Sequence, residues 1–402
     1  MKPSLNPNLL DKNKTYIVAV SFGPDSMALL HLLQQAGFKV EVAHVNYHLR
    51  KESDLEQSRL EQYCLEHDLP MHVLNVSSMP KGNLQAQART IRYDFFKQLA
   101  TTLPADGILT AHHQDDDLET AIMQSQRSPL YEYFGIRPIG SWEGINIYRP
   151  LLDVTKQALM DYCLEKQIPY AIDQSNAKLI YQRNRIRAQL STLSPSEKRK
   201  KQLAFEKENN HRRQRIQFLK PFISKRALVI KTYLNWDRLS QFLFWILFNE
   251  SQKLYTSITD SWLKKIEQIL RSKKPNVVIP YSKGWHLEKA YDQIWFINDQ
   301  DAMPYYFLNP RGTISLPRLN IQLDRLKHLP ETFILRSCQP NDLLHIKNYA
   351  KPFRRLAIDW KMPLFLRRVW PVFTTLEGEV ILLPRYQKNH VNKANNWLEI
   401  LE

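Results

Sequence analysis

The chain has 402 residues, 43% of them hydrophobic and 24% charged, which describes an ordinary soluble protein of two or three domains with sizeable cores. Its 56 Lys and Arg against 40 Asp and Glu leave a net charge of +16, pointing to a polyanionic partner, with nucleic acid ahead of an anionic membrane. The three cysteines, Cys64, Cys163 and Cys338, lie far apart with no Cys-x-x-Cys pair, which disfavours zinc knuckles, iron–sulfur sites and dithiol chemistry and fits a reducing compartment. Residues 1–14 are polar with no apolar signal core, and the longest apolar run, 242–248, is far too short to span a bilayer, so a cytoplasmic protein with no membrane partner is expected.

In chain order, the strand-like stretches of the first part are 16–20, 40–45, 72–76, 108–111 and 145–148. Helical patterns such as 55–66 and 84–99 lie between them, and a further helix is expected near 156–166. This alternation predicts an α/β domain with a parallel sheet covered on both faces, and ligands bind beyond the carboxyl ends of such strands. The turn after the first strand reads Ser21-Phe22-Gly23-Pro24-Asp25-Ser26 and runs straight into an apolar helix. A strand–turn–helix of this kind aims free N–H groups and the positive end of a helix dipole at one point, where phosphate is the usual occupant. Gly23 admits close backbone approach, Pro24 suits the first helical turn, and Ser21 and Ser26 add hydroxyls. Asp25 beside phosphates calls for an intervening cation such as Mg²⁺. The Gly-Lys-Ser/Thr ending of a Walker A loop is missing.

Other strand ends are also rich in polar groups. After the second strand comes His44-Val45-Asn46-Tyr47-His48-Leu49-Arg50, and after the fourth comes His112-His113-Gln114-Asp115-Asp116-Asp117-Leu118-Glu119-Thr120. The second of these suits Mg²⁺ together with hydrogen bonding to a nucleotide or amine; an acidic helix start held by the dipole accounts for its three Asp but not for its two His. Next along the chain are Arg149-Pro150-Leu151-Leu152, then Asp173-Gln174-Ser175-Asn176 and Arg183-Asn184-Arg185-Ile186-Arg187.

The 197–226 stretch carries eleven Lys and Arg against three Glu. It reads either as a basic helix that presents a stripe to a phosphate backbone or as a solvated linker helix. Residues 233–272 read as two apolar-rich helices and 276–280 and 294–297 as strands, with the tryptophans mostly in the core. Residues 305–325 are Pro-punctuated and resemble a linker or edge strands, and short strands are expected at 332–335, 369–375 and 380–383.

The 21–26 loop resembles that of the ATP pyrophosphatases, whose pattern is Ser-Gly-Gly-x-Asp-Ser. In this order, the His-Val-Asn segment at 44–46 ending in Leu49-Arg50, the 112–120 block, the 149–152 block, Asp173-x-Ser175-Asn176 and Arg183-Asn184-x-Ile186-Arg187 are together similar to the tRNA(Ile)-lysidine synthases. Phe22 replaces a Gly of that family, Tyr47 a His and Asp117 a Gln, while Ser128-Pro129 follow Arg127 where the family has Gly. The resemblance covers roughly the first half of the chain, and Arg336 through Asp342 to Arg368 resembles the family's small C-terminal domain, which binds the acceptor end of tRNA.

It implies an α/β PP-loop domain over 1–195, a basic linker helix over 196–226, a mostly helical middle domain over 227–304, a linker over 305–331 and a small α+β domain over 332–402. Implied too is ligation of free L-lysine to the 2-position of the wobble cytidine of a minor isoleucine tRNA with a CAU anticodon. That reaction uses ATP and Mg²⁺, passes through an adenylylated tRNA, releases AMP and pyrophosphate, and changes the codon read from AUG to AUA. Catalytic roles would fall to Asp25, His112, Asp115, Asp116 and Arg127, and the metal to Asp25. Nucleotide contacts would come from Ser21, Phe22, Gly23, Pro24, Asp25, Ser26, His44 and Asn46. Substrate contacts would come from Arg89, Arg92, Glu119, Arg149, Asp173, Asn176, Arg183, Asn184 and Arg187. The family allows a homodimer. The alternatives are a sulfur-transfer enzyme acting on tRNA and a tRNA-binding protein with a degenerate ATP site.

Overall fold

The computed structural model describes residues 3–49, 51–78, 84–172, 182–326, 329–346, 349–386 and 397–400. It divides into two compact units, Met1–Arg212 and Arg213–Glu402.

In the first unit, β1 (Thr15–Ala19), α1 (Pro24–Gln35), β2 (Lys39–Asn46), α2 (Ser53–Glu66), β3 (Met71–Asn75), α3 (Leu84–Thr102), β4 (Ile108–Leu109) and α4 (Gln114–Arg127) alternate. Then come β5 (Ile139–Trp142), β6 (Ile145–Tyr148), α5 (Lys156–Glu165), α6 (Gln182–Ser191) and α7 (Pro195–Ile223), of which the part up to Arg212 belongs to this unit. The strands form one six-stranded sheet in the order β3-β2-β1-β4-β6-β5. Alternation along β1 sorts its side chains. Tyr16 and Val18 enter a core with Leu29, Leu33, Leu60 and Leu159 of α1, α2 and α5, while Ile17 enters a second core with Tyr93 and Phe96 of α3. Both faces of the sheet are therefore covered, as the long apolar runs of its strands require.

The parallel sheet carries one antiparallel strand at its edge. β5 pairs antiparallel with β6, through a two-residue turn in which Glu143 and Gly144 both have positive φ, 43° and 91°. That is the primed turn whose twist matches a hairpin.

The order of the strands fixes where a ligand can bind. β2 and β3 extend the sheet to one side of β1, whereas β4 and β6 extend it to the other. The switch point is therefore the crevice beyond the carboxyl ends of β1 and β4, and the 21–26 loop and the 112–120 block leave the sheet there.

Phe22 takes the left-handed conformation, φ 61°, that costs a non-glycine residue of order 1 kcal/mol. Its ring is fully buried in the α1 core and its carbonyl accepts the Ala171 N–H at 2.9 Å, so packing offsets the strain.

In the second unit, helices Ile230–Asn235, Arg238–Gln252 and Asp260–Arg271 accompany an antiparallel sheet of Ala227–Val229, Gln293–Asn298, Trp285–Ala290 and Asn276–Ser282. Trp245 and Trp295 are core residues. Tyr306–Leu308, Thr313–Leu316 and Leu319–Gln322 are paired strands, the first two at sheet edges and the third between Thr313–Leu316 and Leu398–Ile400, so the 305–325 stretch holds strands. Trp295 and Ile297 of the first sheet share an apolar cluster with Phe365, Leu366 and Trp370 further along the chain. Strand Pro371–Thr374 begins only after helix Leu364–Val369 has ended.

Replacing Phe22 by Gly removes the strain but also a fully buried ring worth roughly 3–5 kcal/mol. Phe22→Gly is expected to lower the unfolding free energy in urea by about 2–3 kcal/mol. An unchanged midpoint would mean that the ring does not support the loop.

Candidate nucleotide and substrate site

The site is built on the starts of α1 and α4. Gly23 is the N-cap of α1, in ordinary extended backbone (φ −80°), and no side chain caps this helix. The left-handed residue of the turn is thus Phe22 and not the glycine. Ser26 Oγ donates to the Gly23 carbonyl (3.0 Å) and accepts the Ser21 N–H (3.2 Å), so it shapes the loop, and the hydroxyl of the exposed Ser21 lies 3.4 Å from it. With Pro24 lacking an N–H and no side chain capping the others, the first-turn N–H groups are the donors this helix start offers an anion. Beneath them, the buried Cys163 thiol of α5 donates to the Pro24 carbonyl at 3.4 Å.

α4 begins with a reciprocal cap. Nδ1 of His113 accepts the Asp116 N–H at 3.4 Å, while Asp116 Oδ2 accepts the His113 N–H at 3.3 Å. Since Nδ1 is the acceptor, the ring proton sits on Nε2. Nε2 points at Asp116 Oδ2, 3.2 Å away, and at Asp25 Oδ2, 3.7 Å away. The two helix starts therefore meet at one buried imidazole. Asp25 Oδ1 is buried without a partner. Burial pushes the Asp25 carboxyl above the usual range, against the pull of His113 and Lys156. For Asp116 burial acts in the same direction, but His113, Arg183 and His112 outweigh it and hold the carboxyl low. Burial takes His112 down to about 4, so its imidazole is neutral at pH 7, with Nδ1 2.8 Å from the Thr110 hydroxyl.

One turn along α4, the buried Glu119 accepts from Arg183 Nε (3.0 Å) and from Arg187 Nε and Nη2 (2.8 and 3.1 Å). Arg183 Nη2 also donates to Asp116 Oδ1 at 2.8 Å. The i, i+3 carboxylates of α4 thus meet the i, i+4 arginines of α6. Asn184 lies on the same short helix.

The other sequence-derived residues fall into distinct places. Asp115 accepts the Lys156 N–H at the start of α5 (2.9 Å) and meets Lys198 Nζ (3.3 Å), so it ties α4 to α5 and α7. His44 donates Nδ1–H to the Val20 carbonyl at 2.8 Å, which leaves Nε2 as an acceptor at the crevice. Asn46 engages its amide with Asp54, Gln57 and the His48 N–H. Arg89 stacks on Tyr93 (4.6 Å) and Arg92 lies over Tyr47 (5.9 Å). Arg149 is buried, and its Nη1 donates to the Arg137 carbonyl at 2.7 Å. Arg127 is exposed at the far end of α4, eleven residues beyond Asp116 and about 16 Å along the axis. It does not join the other four expected catalytic residues. Asp173 and Asn176 lie outside the described residues.

Sequence reasoning missed several contributors. His113 is central to the site, and its His-x-x-Asp spacing to Asp116 is that of a capping box. Asp117 accepts the Ile136 N–H at 2.5 Å. Gly135 has φ 95°, and a Cβ there would lie 2.3 Å from Asp117 Oδ1. Asn209 and Arg212 of α7 grip the backbone of 129–134. These contacts join residues up to 83 positions apart and have no local signal.

An uncapped helix start at the switch point of a parallel sheet, with a carboxylate in its first turn, defines a nucleotide-binding α/β domain, and the family described as "PP-loop domain" matches residues 2–193. The tRNA(Ile)-lysidine synthase of Aster yellows witches'-broom phytoplasma is 30% identical over 414 residues, covering 94% of this chain and 92% of that protein. That of Bacillus subtilis is 28% identical, with 95% and 92% covered. The bifunctional protein TilS/HprT of Listeria monocytogenes is 28% identical over 95% of this chain, which spans 66% of that relative's length. This chain belongs to the tRNA(Ile)-lysidine synthase family.

Asp117 carries a testable charge. Burial raises its carboxyl to about 6 against the Ile136 N–H, with Asp153, Glu206 and Asp116 adding to the rise. The unfolded chain loses that proton near pH 4 (about 3.9). Folded protein therefore binds more protons between about pH 4 and 6, and stability falls as pH rises through that window. Asp117→Asn keeps an acceptor for Ile136 and is expected to be more stable than the parent by about 1–2 kcal/mol at pH 7.5, the gain vanishing toward pH 4. Urea titrations at both pH values check this; a gain independent of pH would contradict it.

Proposed function

We propose that this protein adenylylates the 2-oxygen of the wobble cytidine in a CAU-anticodon isoleucine tRNA and then joins the ε-amine of free lysine to that carbon. The observation that carries the reading is the junction of the α1 and α4 starts through Asp25, His113 and Asp116, with Nε2 of His113 within 3.7 Å of both carboxylates. It gives phosphates a helix N-terminus and puts a dense set of hydrogen-bonding groups next to the reacting phosphorus. Membership of the lysidine synthase family supports the choice of tRNA and of lysine.

In the first step the uncapped N–H groups of α1 and the Ser21 hydroxyl receive the departing pyrophosphate, and the cytidine oxygen attacks the α-phosphorus. Breaking the α–β bond sends its electron pair to pyrophosphate. In the second step the lysine nitrogen attacks the activated carbon, and AMP leaves with the C–O electron pair. The amine loses a proton in that step. His112, neutral at pH 7, is suited to hydrogen-bond the base, whereas the carboxylates of the cluster are the groups that can face an ammonium.

Mg²⁺ fits this site through Asp25. The carboxylate oxygen Oδ1 is buried without a partner, and oxygen is the ligand this cation takes. Among the described residues no three His, Cys, Asp or Glu side chains could hold a metal unaided, so phosphate oxygens and water would complete its shell. When bound, the ion would neutralise charge on the phosphates.

Sulfur transfer is the weaker alternative. All three cysteines are buried, and burial raises the thiols of Cys64 and Cys163 to about 11, which leaves them protonated and poorly nucleophilic.

Incubation with ATP, Mg²⁺, labelled lysine and the minor isoleucine tRNA is expected to give lysine incorporation and AMP. Binding of tRNA without ATP dependence or incorporation would favour a degenerate site instead. Asp25→Ala should lower adenylylation by about 10²–10³-fold with tRNA affinity nearly intact; an active variant removes Asp25 from the mechanism. Because His112 stays neutral down to about pH 4, it is expected to contribute no acid limb to kcat between pH 5.5 and 7.5 in about unit steps of pH. His112→Asn should retain more activity than His112→Ala. A limb near 6.5 that disappears in both variants would assign His112 as a proton acceptor.

A further inference from the structure

The basic stretch of α7 does not turn all its cations outward. Arg212 is 3% exposed. Its Nε donates to the Tyr131 carbonyl (3.0 Å), Nη2 to the Pro129 carbonyl (3.2 Å), and Nη1 to the Glu208 carbonyl and carboxylate (3.2 and 2.7 Å). Its guanidinium also lies over the Phe134 ring, 4.2 Å from the centroid. One turn earlier the buried Asn209 accepts the Phe134 N–H and donates to the Phe134 carbonyl, both at 2.8 Å. From the other side α4 completes the grip, with Gln124 Oε1 accepting the Gly135 N–H (2.7 Å) and Asp117 accepting the Ile136 N–H. The next two residues seat Arg149, whose positive charge acts on the His112 imidazole: the Arg137 carbonyl accepts Arg149 Nη1, and the Pro138 carbonyl accepts the Arg149 N–H at 2.9 Å.

We propose that Asn209 and Arg212 are positioning residues, which fix the 129–138 segment between α7 and α4 and through it orient the Arg149 guanidinium in the site. Arg212 is then not a contact to tRNA phosphate, because its donors are already committed to backbone oxygens and Glu208. The planar fork of arginine serves the Tyr131 and Pro129 carbonyls from adjacent, fixed donors, which a lysine ammonium on a flexible stem does not reproduce. Asn209 is matched to both backbone groups of one residue, as a backbone strand would be.

The proposal rests on the lysidine-forming reading for its activity readout, so two further readouts are independent of activity. Full-length Asn209→Ala, Arg212→Gln and Arg212→Lys are compared with the parent. All three are expected to lose kcat for lysine incorporation by about 10²-fold, as a displaced site group does. The dissociation constant for tRNA should change by less than about twofold, and the slope of log K against log salt should stay constant. Amide hydrogen exchange at 134–136 should speed up in each variant. Wild-type activity in Arg212→Lys, or a slope reduced by roughly 0.7–0.9, the loss of one phosphate contact, would overturn the proposal. If Arg212→Gln does not fold, Asn209→Asp, which keeps the acceptor and loses the donor, must show the same faster exchange or the proposal fails. A parent protein that incorporates no lysine would remove the functional reading alone; exchange and salt slope would still judge Asn209 and Arg212.

Discussion

Two helix starts converge on one point, and the rest of the first unit is arranged around that convergence. β1 and β4 are neighbours in the sheet, so α1 and α4 leave from adjacent carboxyl ends with the positive poles of their dipoles close together. Such a point attracts negative charge. Asp25 and Asp116 supply part of it, and the imidazole of His113 between them supplies the one proton that lets two carboxylates approach. The α4 start is closed by its own cap, whereas that of α1 is left open. Under the proposed reaction the open start is where phosphate completes the charge balance.

The arginines near this point are less available than their number suggests. Arg183 and Arg187 are matched by Asp116 and Glu119, two cations against two carboxylates. Partly exposed ion pairs contribute little stability by themselves, but Glu119 is buried, and loss of its partners would strand a charge in the interior. The pairing therefore reads first as a way to hold α6 against α4. A substrate that enters here has to exchange contacts with this network instead of meeting bare cations. The same holds for Arg212 on α7, whose residue type and neighbours in the chain suggest a phosphate contact that its burial excludes.

Much of this was legible in the sequence because it is local. The loop 21–26, the 112–120 block and the alternation of strands and helices depend on short-range spacing, and topology then places their ends together. The hairpin of β5 and β6 was missed although Glu143-Gly144 is a turn signal, because the second strand alone has the apolar run. Arg127 was expected among the catalytic residues on its place in a motif, yet the straight rise of α4 carries it away from Asp116. The contacts of Asp117, Gly135, Asn209 and Arg212 could not be read. Their roles arise from contacts between backbone groups and side chains distant in sequence, and nothing in residue type distinguishes a buried, fully bonded arginine from a solvated one.

Phe22 joins the local and the tertiary levels. A glycine at this position would take φ near 60° without strain, yet would leave the turn held only by its hydrogen bonds and would add freedom to the unfolded chain. The phenylalanine accepts the strained backbone and gains burial of its ring in the core formed by β1, α1 and α5. Its carbonyl is tied at the same time to the Ala171 N–H. A loop that must present N–H groups at fixed positions benefits from such rigidity, since order already present before a ligand arrives does not have to be created at binding. The departure from glycine therefore alters how the turn is held and keeps its left-handed backbone, φ 61°.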